Sequence, residues 1–111
     1  MIKPSKVKFI SDSLEKSFNL LDDNDPVKKS IKRAIKDLQN NAFFGIQIPK
    51  RLIPREYIIK YDAKNLWKYD LPRGWRLLYT ITIENEVELI SAILQWFKHK
   101  DYERKLKYLF F

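Results

Sequence analysis

The chain predicts an α+β domain: an antiparallel sheet of about four strands, two N-terminal helices packed on one of its faces, and a short C-terminal helix. Two observations carry this reading. Residues 66–71, 75–83 and 87–97 are strand-like runs divided by Pro72-Arg73-Gly74 and by Glu84-Asn85-Glu86; Pro fixes φ and Gly accepts a positive φ, so the first break reads as a turn of a β-meander, and the polar Glu84-Asn85-Glu86 marks the second. Ahead of them stand two stretches with helical periodicity, an order that puts helices on one face of the sheet. At 111 residues and 45% hydrophobic content, the chain suits a single domain over residues 1–111 with one core.

In chain order, Val7 and Phe9 alternate with Lys6 and Lys8, as in an edge strand protected by lysines. Ser11 and Asp12 offer capping oxygens to a helix with Leu14, Phe18 and Leu21 on one stripe. Asp25-Pro26 supplies an N-cap and a Pro at the first position of a second helix. Its apolar stripe is Val27, Ile31, Ala34, Ile35, Leu38 and Ala42, with Lys28, Lys29, Lys32, Arg33 and Lys36 over the remaining surface. Residues 43–54 read as an ordered loop, because Gly45 breaks the helical pattern and Pro49 and Pro54 bracket Lys50 and Arg51. After Pro54 a short helix is preferred to a strand carried by Tyr57, Ile58 and Ile59, and a last helix is expected from an Asp101 cap to Leu106, followed by an apolar tail over 108–111.

The composition narrows the chemistry. With no cysteine and one histidine, disulfides, thiolate nucleophiles and Cys- or His-rich metal clusters are unavailable, and no metal or other cofactor is expected. No apolar run reaches the roughly 18 residues of a membrane helix, and Met1 to Lys6 lacks the hydrophobic segment of a signal peptide, so a cytoplasmic protein without membrane contact is expected. The formal charge of +8 points to a polyanion. Ten basic residues against three acidic ones lie between Val27 and Lys64.

Within the meander, Trp75, Leu77, Tyr79, Ile81 and Ile83 share one face and Arg76, Leu78, Thr80 and Thr82 the other. If Leu71 and Trp75 flank a three-residue loop, Asp70 stands opposite Arg76 and Lys68 opposite Leu78, so Lys68, Asp70 and Arg76 share a face; a slip of one residue would put Trp67 and Tyr69 there instead. Trp67, Trp75 and Trp96 read as sheet core.

The run Leu66-Trp67-Lys68-Tyr69-Asp70-Leu71, turn, Gly74-Trp75-Arg76-Leu77-Leu78-Tyr79 resembles the hallmark of the RelE/ParE toxin superfamily, and His99-Lys100-Asp101-Tyr102-Glu103-Arg104 resembles the family's C-terminal ending. The resemblance covers the meander, and the N-terminal helices by order and length only. It implies a RelE-like fold and cleavage of mRNA on the ribosome, held in check by a cognate antitoxin. Residue by residue it implies that Arg76 neutralises the scissile phosphate, that Lys68 is the first basic residue of the preceding strand, and that Tyr102, with His99 or Lys100, belongs to the catalytic and base-stacking segment. The sequence departs from the pattern at Asp70, where the family has a second basic residue.

Metal-free RNA cleavage uses the ribose 2′-OH as nucleophile and needs a base, a group that stabilises the phosphorane and a proton for the leaving 5′-oxygen. An arginine fork suits the phosphate, and His99, an imidazole able to exchange protons near neutrality, suits the base, with Lys68 or Asp70 as fallback. Tyr102 is placed to stack on a base or to position the phosphate. Lys98, Lys100, Arg104, Arg73, Lys50 and Arg51 complete the expected RNA-binding set. The alternative is a non-catalytic member of the same superfamily, either ParE-like with a protein target such as gyrase or a basic RNA- or ribosome-binding module, and Asp70 favours it.

Overall fold

A computed structural model describes residues 2–84 and 88–106. Residues 85 and 86 of the expected second turn, and the apolar tail over 108–111, lie outside the described residues. The fold is α+β, built on a five-stranded mixed sheet with four α-helices. The strands are β1 (Lys6–Phe9), β2 (Ile46–Gln47), β3 (Trp67–Asp70), β4 (Trp75–Glu84) and β5 (Glu88–Lys98), in the spatial order β1-β5-β4-β3-β2. The helices are α1 (Asp12–Leu20), α2 (Pro26–Asn40), α3 (Arg55–Tyr61) and α4 (His99–Leu106).

The sheet differs from the expected one at both edges. β1 is the expected lysine-bearing edge strand, but it runs parallel to β5, Val7 facing Ser91 and Phe9 facing Ile93. At the other edge the expected loop contributes a fifth strand, Ile46 pairing with Lys68 and Gln47 with Trp67. A two-residue strand has too little periodicity to be read from sequence. What allows it is Gly45: a Cβ there would stand 2.4 Å from the Lys68 carbonyl oxygen and 2.7 Å from Tyr79 Oη. Only a glycine lets the chain pass so close to β3 and β4.

Helix starts follow the caps. Ser11 Oγ accepts from the Leu14 N–H at 3.2 Å, and Asp25 Oδ1 from the Val27 N–H at 2.9 Å with Pro26 in the first turn. In α2, Ile31, Ala34 and Leu38 are fully buried. They meet Phe18 of α1 and Leu77, Tyr79 and Ile93 of the sheet in one core layer, and each fully buried aliphatic side chain contributes about 2 kcal/mol. α4 starts at His99 directly from β5, so Asp101 lies in its first turn and does not cap it.

The second face of the sheet is less open than expected. Leu78 and Leu94 are covered there by Leu52, Ile53, Tyr57, Tyr102 and Leu106, a second core layer under α3 and α4. The half-buried Lys68 and Arg76 and the exposed Asp70 mark the part of this face that stays accessible.

Candidate functional site

The site is set by a turn and a bulge. Between β3 and β4, Pro72–Gly74 forms a 3-10 turn in which Arg73 adopts φ 61° and Gly74 φ 79°. A hydrogen bond of 2.9 Å from the Leu71 N–H to the Trp75 carbonyl closes it. The ladder that follows pairs Asp70 with Arg76 and Lys68 with Leu78, the expected register. Opposite residues share a face, so Lys68, Asp70 and Arg76 emerge together.

β5 brings in the rest. Leu78 faces Gln95 but Tyr79 faces Ile93, so Leu94 is an extra residue in β5. This bulge shifts the register by one and reverses which side chains face which way. Phe97 therefore faces Arg76, Trp96 faces Leu77 among the α1 and α2 contacts, and α4 leaves the strand beside Arg76.

Four groups converge on the guanidinium. Asp70 Oδ1 lies 3.0 Å from Arg76 Nε and 3.2 Å from Lys68 Nζ, one carboxylate between two cations. The Nε–H does not point along the first of these contacts, so buried Nε has an ion-pair partner but no hydrogen bond. Arg76 Nη1 donates to the Trp75 carbonyl at 3.0 Å. Nη2 lies 3.5 Å from His99 Nδ1, the outer limit of a hydrogen bond. Beneath, the Tyr102 ring centroid is 6.0 Å from Arg76 Cζ, a cation–π contact.

His99 is itself oriented. Its Nε2 lies 2.5 Å from Glu103 Oε1, one helical turn on. With Nε2 carrying the proton donated to Glu103, Nδ1 presents its lone pair towards Arg76. Glu103 is missing from the sequence-based candidates, and the signal was its i, i+4 spacing from His99 on a helical segment.

The remaining candidates divide among separate places. Tyr102 is 2% exposed, so its ring supports Arg76 from within the core and offers no free face for a base. Lys100 and Arg104 are exposed on α4. Lys98, opposite Trp75, lies on the other face of the sheet with its Nζ 5.7 Å from the Trp75 ring centroid. Arg73 joins it there, in the wall of a cavity of about 500 Å3 beside the start of α2. Lys50 and Arg51 sit on an exposed 3-10 turn, where Arg51 lines a cavity with Lys105 and Leu106 at the far end of α4 from His99.

One lysine of the basic helix is structural. Lys28 is buried, its Nζ donating to the Leu21 carbonyl at 3.0 Å and to Asp23 Oδ1 at 2.8 Å, and the hydrogen bond and charge of Lys28 hold the Asp23 carboxyl below its ordinary pKa. Among the described residues no group of three or more His, Asp or Glu is arranged to hold a metal ion, and no helix is long and apolar enough to cross a membrane. The chain matches no protein-family model, no curated protein and no solved structure.

Proposed function

We propose that this protein is a RelE-like endoribonuclease toxin that cleaves mRNA at the ribosome and is neutralised by a cognate antitoxin. The observation that carries the reading is the approach of His99 Nδ1 to Arg76 Nη2, 3.5 Å apart at the junction of β5 and α4, with Lys68 on the same face. The reading is supported by an arginine and an imidazole lying within the span of one nucleotide.

In the reaction, Arg76 and Lys68 receive the scissile phosphate after the half-exposed Asp70 carboxylate turns out to solvent. His99 Nδ1 takes the proton of the 2′-OH while Glu103 steadies the imidazole. The 2′-oxygen attacks phosphorus, the P–O5′ bond breaks, and a 2′,3′-cyclic phosphate forms as the 5′-oxygen takes a proton from Lys68 or water. Tyr102 contributes by fixing the plane of the guanidinium. The antitoxin acts by covering the Arg76 surface.

A second reading rests on Asp70. Its carboxylate stands in the anion position between Lys68 and Arg76, an arrangement that suits a non-catalytic relative acting on a protein such as gyrase, or binding RNA or the ribosome without cutting.

The test is induced expression of wild type and Arg76→Ala, with growth followed and mRNA 5′ ends mapped by primer extension. Arrest with new ends that vanish in the variant supports the nuclease. Arrest with intact mRNA selects a protein target, and absence of any effect from soluble, folded protein selects a binding module.

A further inference from the structure

The cations Arg76 and Lys68 share the Asp70 carboxylate as an ion-pair partner, whereas three on the opposite face have none among the described residues. Lys29 of α2, Arg73 of the turn and Lys98 of β5 converge on the cavity of about 500 Å3 that has Trp75 in its wall. Among the described residues none of the three is ion-paired. Its one acid, Asp25, has Oδ1 committed to the Val27 N–H at the start of α2.

We propose that this cavity is a nucleotide subsite for single-stranded RNA, with a phosphate held by Lys29, Arg73 and Lys98 and the adjoining base laid against Trp75. The inference rests on the RNA reading above and deepens it. Three unpaired cations give the excess charge that a phosphate needs, and a half-buried indole at the mouth of a cationic cavity supplies a sequence-tolerant stacking surface. Lys98 Nζ now occupies the region over the ring; on binding it moves from the ring to the phosphate. Trp75 and Arg76 are consecutive in β4 and so point to opposite faces. An RNA strand rounding the Pro72–Gly74 turn therefore meets the stacking subsite on one side and Arg76 on the other. Affinity resides mainly in the Trp75 subsite, and Arg76 contributes less because Asp70 competes for it.

The experiment measures anisotropy of a fluorescein-labelled single-stranded RNA hexamer against salt, with tryptophan emission recorded in parallel. The proteins are wild type, a Lys29→Gln/Arg73→Asn/Lys98→Gln triple variant and Arg76→Gln, each checked for folding by thermal melting. Asn is chosen at 73 because it tolerates the left-handed backbone there. The triple variant is expected to bind at least about tenfold more weakly, with the log–log salt slope shallower by about 0.7 for the one lost phosphate contact and the emission quenching lost. Arg76→Gln should weaken binding less than the triple variant does, because Asp70 competes for Arg76. A triple variant that binds as wild type does, or a base-free polyphosphate of equal charge that binds equally, overturns the subsite. Hexamer binding through the cavity with intact cellular mRNA would remove the nuclease reading and leave the subsite standing. Arg76-dependent cleavage with unchanged KM in the triple variant would do the reverse.

Discussion

Asp70 Oδ1 stands 3.0 Å from Arg76 Nε, directly across the β3–β4 ladder, and the same carboxylate contacts Lys68 at 3.2 Å. The protein thus carries an acid of its own between the two cations of this face. Replacing Asp70 with Asn leaves the side chain's shape and removes the competing charge. Arg76-dependent RNA affinity should rise about three- to tenfold, and urea unfolding should shift by less than about 1 kcal/mol because the pair is half-exposed. Unchanged affinity in anisotropy titrations would show that Asp70 does not guard the site.

Glu103→Gln keeps a hydrogen-bond acceptor for His99 Nε2 but removes the carboxylate charge beside the imidazole. If His99 is the base, cleavage should slow by about ten- to a hundredfold with RNA affinity unchanged. Equal loss from binding and turnover would mean that Glu103 acts only on the shape of α4.

Gly45→Ala should destabilise the fold by about 1–3 kcal/mol, since its Cβ meets the Lys68 carbonyl and Tyr79 Oη with no room to relax. Tyr79→Phe should cost about as much for another reason. It leaves the Gly45 N–H and the Ala42 carbonyl without their shared hydroxyl partner, at 3.0 and 2.9 Å. Thermal melts check both, and near-wild-type stability of Gly45→Ala would mean that β2 can leave the sheet freely.

Stability should fall in alkali through three tyrosines, Tyr57, Tyr69 and Tyr79, whose phenols burial pushes up. Burial is the larger cause that pushes the Tyr69 and Tyr79 phenols up to about 12 from an ordinary 10, with the hydrogen bond to Asp37 adding to the shift at Tyr69. A raised pKa means that the folded state holds the proton more tightly than the unfolded one. The stabilisation is complete below pH 10 and is lost as pH rises towards 12. Denaturant midpoints across that window should fall less steeply in Tyr69→Phe than in wild type, and identical slopes would contradict the shift.

Lys28 and Lys29, neighbours in sequence, should separate in their effects. Lys28→Ala loses a buried ammonium that ties α2 to the end of α1 and should cost about 1–3 kcal/mol with RNA affinity unchanged. Lys29→Ala should stay within about 0.5 kcal/mol in stability and weaken RNA binding. Equal stability losses would place both lysines in the same structural role.

The sequence alone determined the parts governed by local chemistry. The Ser11 and Asp25-Pro26 caps started α1 and α2, and the Pro72-Arg73-Gly74 turn joined β3 to β4. Of the two registers the sequence allowed, the one set by a three-residue loop forms, and with a period of two it places Lys68, Asp70 and Arg76 on one face.

Tertiary structure decided what depends on contacts between distant residues. The parallel pairing of β1 with β5 and the addition of β2 beside β3 join segments far apart in the chain, and no local pattern encodes either. The extra residue Leu94 in β5 turned Phe97 towards Arg76 and Lys98 towards Trp75, dividing a basic cluster that is continuous in sequence between two faces of the sheet. The burial of Tyr102 and Lys28 likewise follows from the elements that pack over them, α4 onto the sheet and α2 against the end of α1. Residue type gives a side chain's chemistry, but only the packed fold decides whether it faces water.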